Sequence, residues 1–243
     1  MHEQMCWGTR FTMWLINLAN LNTVRTVALG GLIVGLVPGI SPVIQAEIKT
    51  DAVNITASVP YVEVVHKGKR VRIEREQDND AMIEPDYAQT SRPCPPYCIQ
   101  PMQLAKGIET IGELEIIDYL VKKSNGAPVL VIDSREPEWL LKGMIPGAVN
   151  IPWTKLFNKT ASNKGITEIL EFSFGVTRSE GLWNFEDAKL LVFYCNGPWC
   201  GQSPTNIRAL LTLGYPAHLI KWYRGGMQSW KQFGLTTTMH SDK

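Results

Sequence analysis

Sulfur chemistry is what the residue types of this chain can do. Two cysteine pairs carry it: Cys94 and Cys98 within Ser91-Arg-Pro-Cys-Pro-Pro-Tyr-Cys-Ile-Gln-Pro101, and Cys195 and Cys200 within Cys195-Asn-Gly-Pro-Trp-Cys200. A thiolate attacks sulfur, and a second thiol in reach closes or reopens a disulfide with it, so each pair is either a staple or a reagent. The chain has five cysteines, but Cys6 lies in the segment expected below to be removed; the other four allow three pairings, and spacing alone does not choose among them. The prolines around Cys94 and Cys98 predict an extended or turn-rich loop. That loop holds either a disulfide or a pair docked near Cys195 to relay sulfur or electrons. Cys-x3-Cys with Cys-x4-Cys matches metal-ribbon spacing poorly, so no metal is expected, and sulfur chemistry carried by the thiols themselves calls for no organic cofactor.

The elements that position Cys195 follow from its flanks. Leu190-Leu-Val-Phe-Tyr194 is an apolar run of buried-strand type, and Cys195 follows it directly. Ser203 reads as an N-cap, Pro204 as the first helical residue and Gly214 as the stop, with Ile207, Leu210 and Leu211 as the buried stripe. Cys195 therefore lies in a short loop that empties into a helix N-terminus. Amides and helix dipole there favour an anion, and a thiol in that place is more acidic than a free one.

Alternating signals surround this unit. Thr110-Ile-Gly-Glu113 reads as a capping box before a helix with Leu114, Ile117, Leu120 and Val121 on one face, stopped by Gly126 and Pro128. Val129–Ile132 and Leu219–Trp222 read as strands, and Thr167–Phe174 as a helix. Strands separated by helices imply a mostly parallel sheet covered on both faces. Upstream, Val59–Glu76 reads as a β-hairpin turning at Lys67-Gly68, because Val71 and Ile73 alternate with charged residues.

Three stretches in order resemble the rhodanese-like sulfurtransferase family over residues 107–238. They are Val131-Ile-Asp-Ser-Arg135, running on through Glu138-Trp139 to Gly143-Met-Ile-Pro-Gly-Ala-Val-Asn-Ile-Pro152; then Cys195 at its strand end; then Tyr223-Arg-Gly-Gly226 with Trp230. The resemblance implies that Cys195 takes up a sulfane sulfur as a persulfide and passes it on. It implies a cradle from Asn196, Gly197, Trp199, Gly201, Gln202 and Ser203, with Asp133 and Arg135 bracing the neighbouring strand end. Trp199 reads equally as a pocket wall or as a cap on the core edge. The family's loop arginine is replaced by Cys200, the loop is longer, and Met144 replaces a common histidine. Thiosulfate-like dianions should then bind less well, unless Arg135 or Arg224 reaches in. The phosphatase relatives of this fold need an arginine where Gly201 stands, so phosphatase activity is not expected. A subgroup of exported members has a second loop thiol, which implies that Cys200 attacks a Cys195 persulfide or forms a redox pair with Cys195.

Composition bounds the rest. The chain has 243 residues, 44% hydrophobic and 19% charged, which suits a globular protein with one sizeable core. A net charge of +1 gives no reason to expect a nucleic-acid partner. Arg25 precedes an uncharged stretch to Ala46, whose apolar centre Val27–Val37 suits a secretory signal and is followed by Pro38, Gly39 and Pro42. Residues 1–46 are therefore expected to be a signal cleaved after Ala46, or an anchor if uncleaved, which is the only membrane link expected. The organisation expected is 1–46 signal, 47–106 extension with hairpin and Cys94/Cys98 loop, 107–238 rhodanese-like α/β domain, and 239–243 tail. Export to a periplasmic or similar oxidising compartment permits disulfides. His66, at the hairpin turn, and His240 read as solvated, and Trp139, Trp153 and Trp230 as core anchors. The leading expectation is a sulfurtransferase acting on a small sulfur compound or a protein thiol. A Cys195/Cys200 thiol–disulfide oxidoreductase and a non-catalytic binding module are the alternatives.

Overall fold

The computed structural model describes residues 52–239; the signal expected at 1–46 and all but Met239 of the tail expected at 239–243 lie outside the described residues. The described chain begins with a hairpin, β1 (Tyr61–His66) and β2 (Lys69–Glu74), pairing Val62 with Ile73 and Val64 with Val71. Its turn residues Lys67 and Gly68 both take positive φ, 47° and 77°, the two-residue geometry whose twist matches the strands. A short helix, α1 (Pro85–Ala88), seats Tyr87 in the core. Residues 89–108 then run without helix or strand to β3 (Glu109–Ile111).

From there the elements alternate as the patterning predicts. They are α2 (Glu113–Ser124), β4 (Val129–Asp133), β5 (Val149–Asn150) and α3 (Asn163–Glu168). A small hairpin, β6 (Thr177–Ser179) and β7 (Leu182–Asn184), leads to β8 (Leu190–Tyr194), α4 (Gln202–Thr212), β9 (Ile220–Tyr223) and α5 (Gly226–Gln232). Five strands form one parallel sheet in the order β3-β9-β8-β4-β5. The apolar runs of β8 and β4 occupy central positions, where both faces are covered and alternation is not needed. One face packs Ile116, Ile117 and Leu120 of α2 with Met227 and Trp230 of α5. The other packs Ile166 of α3 with Ile207 and Leu210 of α4. The expected α/β class, a parallel sheet with helices on both faces, is what forms.

The hairpin shares this core. Val64 and Ile73 are buried with α2 and α5, and β2 is stitched to the chain end by Glu76 N–H to Gly234 O (2.7 Å) and Thr236 N–H to Glu74 O (3.0 Å). His66 is thereby buried, and its Nδ1 accepts the Gly147 N–H at 3.1 Å, so it is not the solvated turn residue expected.

Several local readings are corrected. Gly112, not Thr110, caps α2, and its N–H is held by Glu115 Oε2 at 3.0 Å. Thr110 lies in β3 and donates its hydroxyl to Met102 O. Leu114 lies on the solvent side of the first turn, and Ile116 takes its place in the core. The helix expected from Thr167 starts at Asn163, because Ser162 Oγ accepts the Gly165 N–H at 3.1 Å, and it widens into a π-turn over Ile169–Ser173. Trp230 is a core anchor, while Trp139 and Trp153 are only half-buried.

Candidate active site

Three neighbouring strands of the sheet deliver the candidate residues at their carboxyl ends, where parallel sheets form their binding crevices. β8 delivers Cys195, β4 delivers Asp133, Ser134 and Arg135, and β9 delivers Arg224. The loop from Cys195 to Gly201 then enters α4. Cys200 N–H donates to Gly197 O at 2.9 Å, closing the loop on itself. α5 holds the other side, with Met227 N–H on Cys195 O (2.9 Å) and Gln228 N–H on Asn196 O (2.8 Å). Gly226 makes this close approach possible. Its φ is +56°, and a Cβ there would stand 2.9 Å from both Cys195 C and Gly197 N, and closer still to Cys195 O.

Cys195 and Cys200 are joined by a disulfide, Cα–Cα 6.1 Å, and are only 3% and 5% exposed. Both lie beside the start of α4, where the first helical amides have no carbonyl before them in the helix. That start is one residue pair earlier than the sequence suggests. Gly201 is the N-cap and Gln202 the first helical residue, while Ser203 is buried in the first turn and donates its hydroxyl to Ser134 Oγ at 3.1 Å. Ser203 thus ties α4 to the end of β4 instead of capping the helix. Gln202 Oε1 lies 3.5 Å from Cys195 Sγ and 3.8 Å from Cys200 Sγ. Disulfide sulfurs carry no proton, so this oxygen accepts a hydrogen bond only in the dithiol state.

Beneath the loop is a buried ion pair. Asp133 Oδ1 accepts from Arg135 Nε at 2.8 Å, and Oδ2 accepts from Arg135 Nη2 at 2.6 Å and from the Tyr194 hydroxyl at 2.8 Å. Arg135 also donates to Tyr87 Oη (3.1 Å) and Gly143 O (2.8 Å), and Asn196 Oδ1 stands 3.5 Å from its Nη1. Burial opposes the guanidinium charge, but Asp133 outweighs it and holds Arg135 above its ordinary value. Burial, then Asp133, pushes the Tyr194 hydroxyl well above its own. Arg135 therefore braces the loop from below, its donors taken by protein groups.

The extension lies against the same loop. Gln100 N–H donates to Pro198 O at 2.9 Å, and Gln100 O accepts from Arg224 Nε (3.1 Å) and Nη2 (2.8 Å). Tyr97 meets the Trp199 ring edge-on at 5.6 Å between centroids, and the Arg92 guanidinium lies 3.8 Å from the centre of that ring. Trp199 Nε1 donates to Gln228 Oε1 at 2.9 Å, and Gln228 Nε2 donates to Tyr87 O at 2.8 Å. Cys94 and Cys98 form a second disulfide, Cα–Cα 4.7 Å. Of the residues read from sequence, Cys195, Asn196, Gly197, Trp199, Cys200 and Gly201 share one loop, and Gln202 and Ser203 follow it in the first turn of α4. Arg135 lies behind it, and Arg224 points to the extension. Sequence reasoning missed Tyr87, Gln100 and Gln228. The contact of the Tyr194 hydroxyl with Asp133 was missed too, and it alone left a readable signal, a hydroxyl at the end of an otherwise apolar strand. Among the described residues, no group of three or more His, Cys, Asp or Glu side chains is placed to hold a metal ion.

A family model described as the rhodanese-like domain matches residues 117–233. Solved structures also resemble the chain. A Rhodopseudomonas palustris protein of unknown function, described as a possible tyrosine phosphatase, is 22% identical, with 56% of this chain and 88% of that chain covered and a TM-score of 0.37. A human single-domain sulfurtransferase is 23% identical, with 51% and 95% covered and a TM-score of 0.33. The 3-mercaptopyruvate sulfotransferase of Escherichia coli is 24% identical, with 47% and 39% covered and a TM-score of 0.32. No curated protein matches the chain. Over residues 117–233, just under half of its length, this chain is similar to the rhodanese-like domain.

Proposed function

We propose that the protein is a sulfurtransferase in which Cys195 carries a sulfane sulfur. The observation behind this reading is the place of Cys195: the end of a central parallel strand, beside the start of α4, with a second thiol in bonding range. The reduced Cys195 thiolate attacks the outer sulfur of a persulfide donor R–S–SH, forming Cys195–S–SH and releasing RS⁻. An acceptor thiolate then attacks that outer sulfur, leaves as a persulfide and restores the Cys195 thiolate. Alternatively, the Cys200 thiolate attacks Cys195 Sγ, which releases HS⁻ and forms the Cys195–Cys200 disulfide.

The donor class proposed is a low-molecular-weight or protein persulfide. The Arg135 guanidinium is engaged by Asp133, Tyr87 and Gly143, and Arg224 is held on the Gln100 carbonyl through Nε and Nη2, so a persulfide, which needs no paired cation, suits this loop better than a thiosulfate dianion. Export is part of the reading, supported by the Arg25–Ala46 pattern. The Cys195–Cys200 disulfide also supports a thiol–disulfide reading of the same loop, in which the pair exchanges two electrons with a partner.

The test is sulfur transfer from glutathione persulfide to cyanide by the reduced full chain, read as thiocyanate. Cys195→Ser should abolish transfer, and Cys200→Ser should keep it while ending hydrosulfide release. Unchanged transfer by Cys195→Ser would refute the proposal.

A further inference from the structure

The two disulfides differ sharply in access. Cys195 and Cys200 are buried, whereas Cys94 is exposed and Cys98 half-exposed on the strap formed by residues 89–108. A protein-sized reductant can attack the strap pair, but the loop pair lies below its reach, and access decides which sulfur is attacked in thiol–disulfide exchange. The strap is also coupled to the loop at the right point. Gln100 Nε2 donates to Cys98 O at 3.0 Å and stands 3.9 Å from where a Cβ on Gly201 would be, next to Cys200. The Gln100 main chain pairs with Pro198, between the loop cysteines, and Tyr97, between the strap cysteines, packs on Trp199.

We infer that Cys94–Cys98 is a redox port, through which a dithiol protein reduces the buried Cys195–Cys200 disulfide. The exposed side chains that flank it, Tyr97 and Ile99 (84% exposed), give such a partner apolar surface to press on. In the first exchange, one thiolate of the partner attacks Cys94 Sγ and releases the Cys98 thiolate. The partner's second thiolate then attacks the partner sulfur bound to Cys94, closing the partner's own disulfide and releasing the Cys94 thiolate. In the second exchange, the Cys98 thiolate attacks Cys200 Sγ and releases the Cys195 thiolate. Cys94 then attacks Cys98 Sγ, restoring the strap disulfide and releasing Cys200. Two electrons and two protons pass from partner to loop, and no other co-reactant is consumed. The step rests on the proposed sulfurtransfer only for the use made of the freed Cys195 thiolate. It supplies what that chemistry lacks after hydrosulfide release, a route back to the dithiol.

The test needs no sulfur donor, so its failure is distinct from failure of the sulfurtransfer reading. The oxidised full chain is mixed with reduced thioredoxin, quenched with an alkylating agent at intervals, and analysed by peptide mass spectrometry. Strap thiols should appear before loop thiols. In the Cys94→Ser/Cys98→Ser variant, reduction of the loop pair by thioredoxin should slow by about tenfold or more, while reduction by dithiothreitol, small enough to enter, should not slow. An equal or faster thioredoxin rate would make the strap a cover at most and overturn the inference, as would slowing of the dithiothreitol rate to the same extent. A second variant, Cys94→Ser/Cys195→Ser, leaves only Cys98 and Cys200 of the four to pair. Mild oxidation with diamide should join them within one chain, and their failure to join would also overturn the inference.

Discussion

Gly226→Ala isolates the geometry on which the loop depends. Gly226 sits at φ +56°, where an added Cβ meets the backbone of Cys195 and Gly197 and no side chain can yield instead. Two costs follow. The left-handed backbone with a Cβ costs about 1–2 kcal/mol, and forcing main chain apart in a packed site adds about 1–3 kcal/mol. Gly126 provides the comparison, because its φ is +88° but nothing lies within 4 Å of the Cβ position. Gly126→Ala should therefore carry only the first cost. At about 2–4 °C per kcal/mol for a unit of this size, Tm should fall by about 2–8 °C for Gly126→Ala and about 4–20 °C for Gly226→Ala. The two should separate further in function. Moving the Cys195 carbonyl by a large fraction of an ångström should lower persulfide formation by about 10- to 100-fold, whereas Gly126→Ala should leave it unchanged. Calorimetry and a single-turnover sulfur-uptake assay read the two quantities. Equal uptake by both variants would refute the idea that the α5 contact sets the loop.

Two further outcomes follow from the buried ion pair and the buried tyrosines. Asp133→Asn leaves the Arg135 guanidinium buried without its counter-charge and should cost about 3–5 kcal/mol in urea unfolding; a loss below about 1 kcal/mol would mean that water or another group already neutralises it. Burial raises the hydroxyl pKa of Tyr87, Tyr194, Tyr215 and Tyr223 above the ordinary tyrosine value of about 10. Above that pH the unfolded chain loses these protons and the folded chain keeps them, so stability is level below pH 10 and falls above it, by up to about 1.4 kcal/mol per pH unit for each tyrosine. Urea titrations between pH 8 and 11.5, with Tyr215→Phe as a reference, check the slope; stability that held level to pH 11.5 would contradict it.

The sheet was legible because its signal is local. Leu190–Tyr194 and Val129–Ile132 are uninterrupted apolar runs, and central parallel strands need nothing else to identify them. Cys195 was placed by the same logic, through a strand on one side and Pro204 on the other. What was not legible depends on partners far away in the chain. Ser203 has the composition of a cap, yet Ser134, from another strand end, takes its hydroxyl. Arg224 resembles a substrate cation until Gln100, more than a hundred residues earlier, takes two of its three guanidinium nitrogens. Leu114 and Ile116 differ only in which side of the first turn of α2 faces the sheet, a matter of helix rotation that periodicity leaves loose. His66 looked like a turn residue because nothing in its neighbourhood announces Gly147.

The most direct measurement is peptide mass spectrometry of the fully reduced chain after brief exposure to glutathione persulfide and rapid alkylation. One extra sulfur atom on the peptide bearing Cys195, and none on those bearing Cys94 or Cys98, is the result expected of a sulfur carrier at the end of β8. A Cys195 peptide that takes up no sulfur, in a protein whose Cys195 remains open to alkylation, would contradict it.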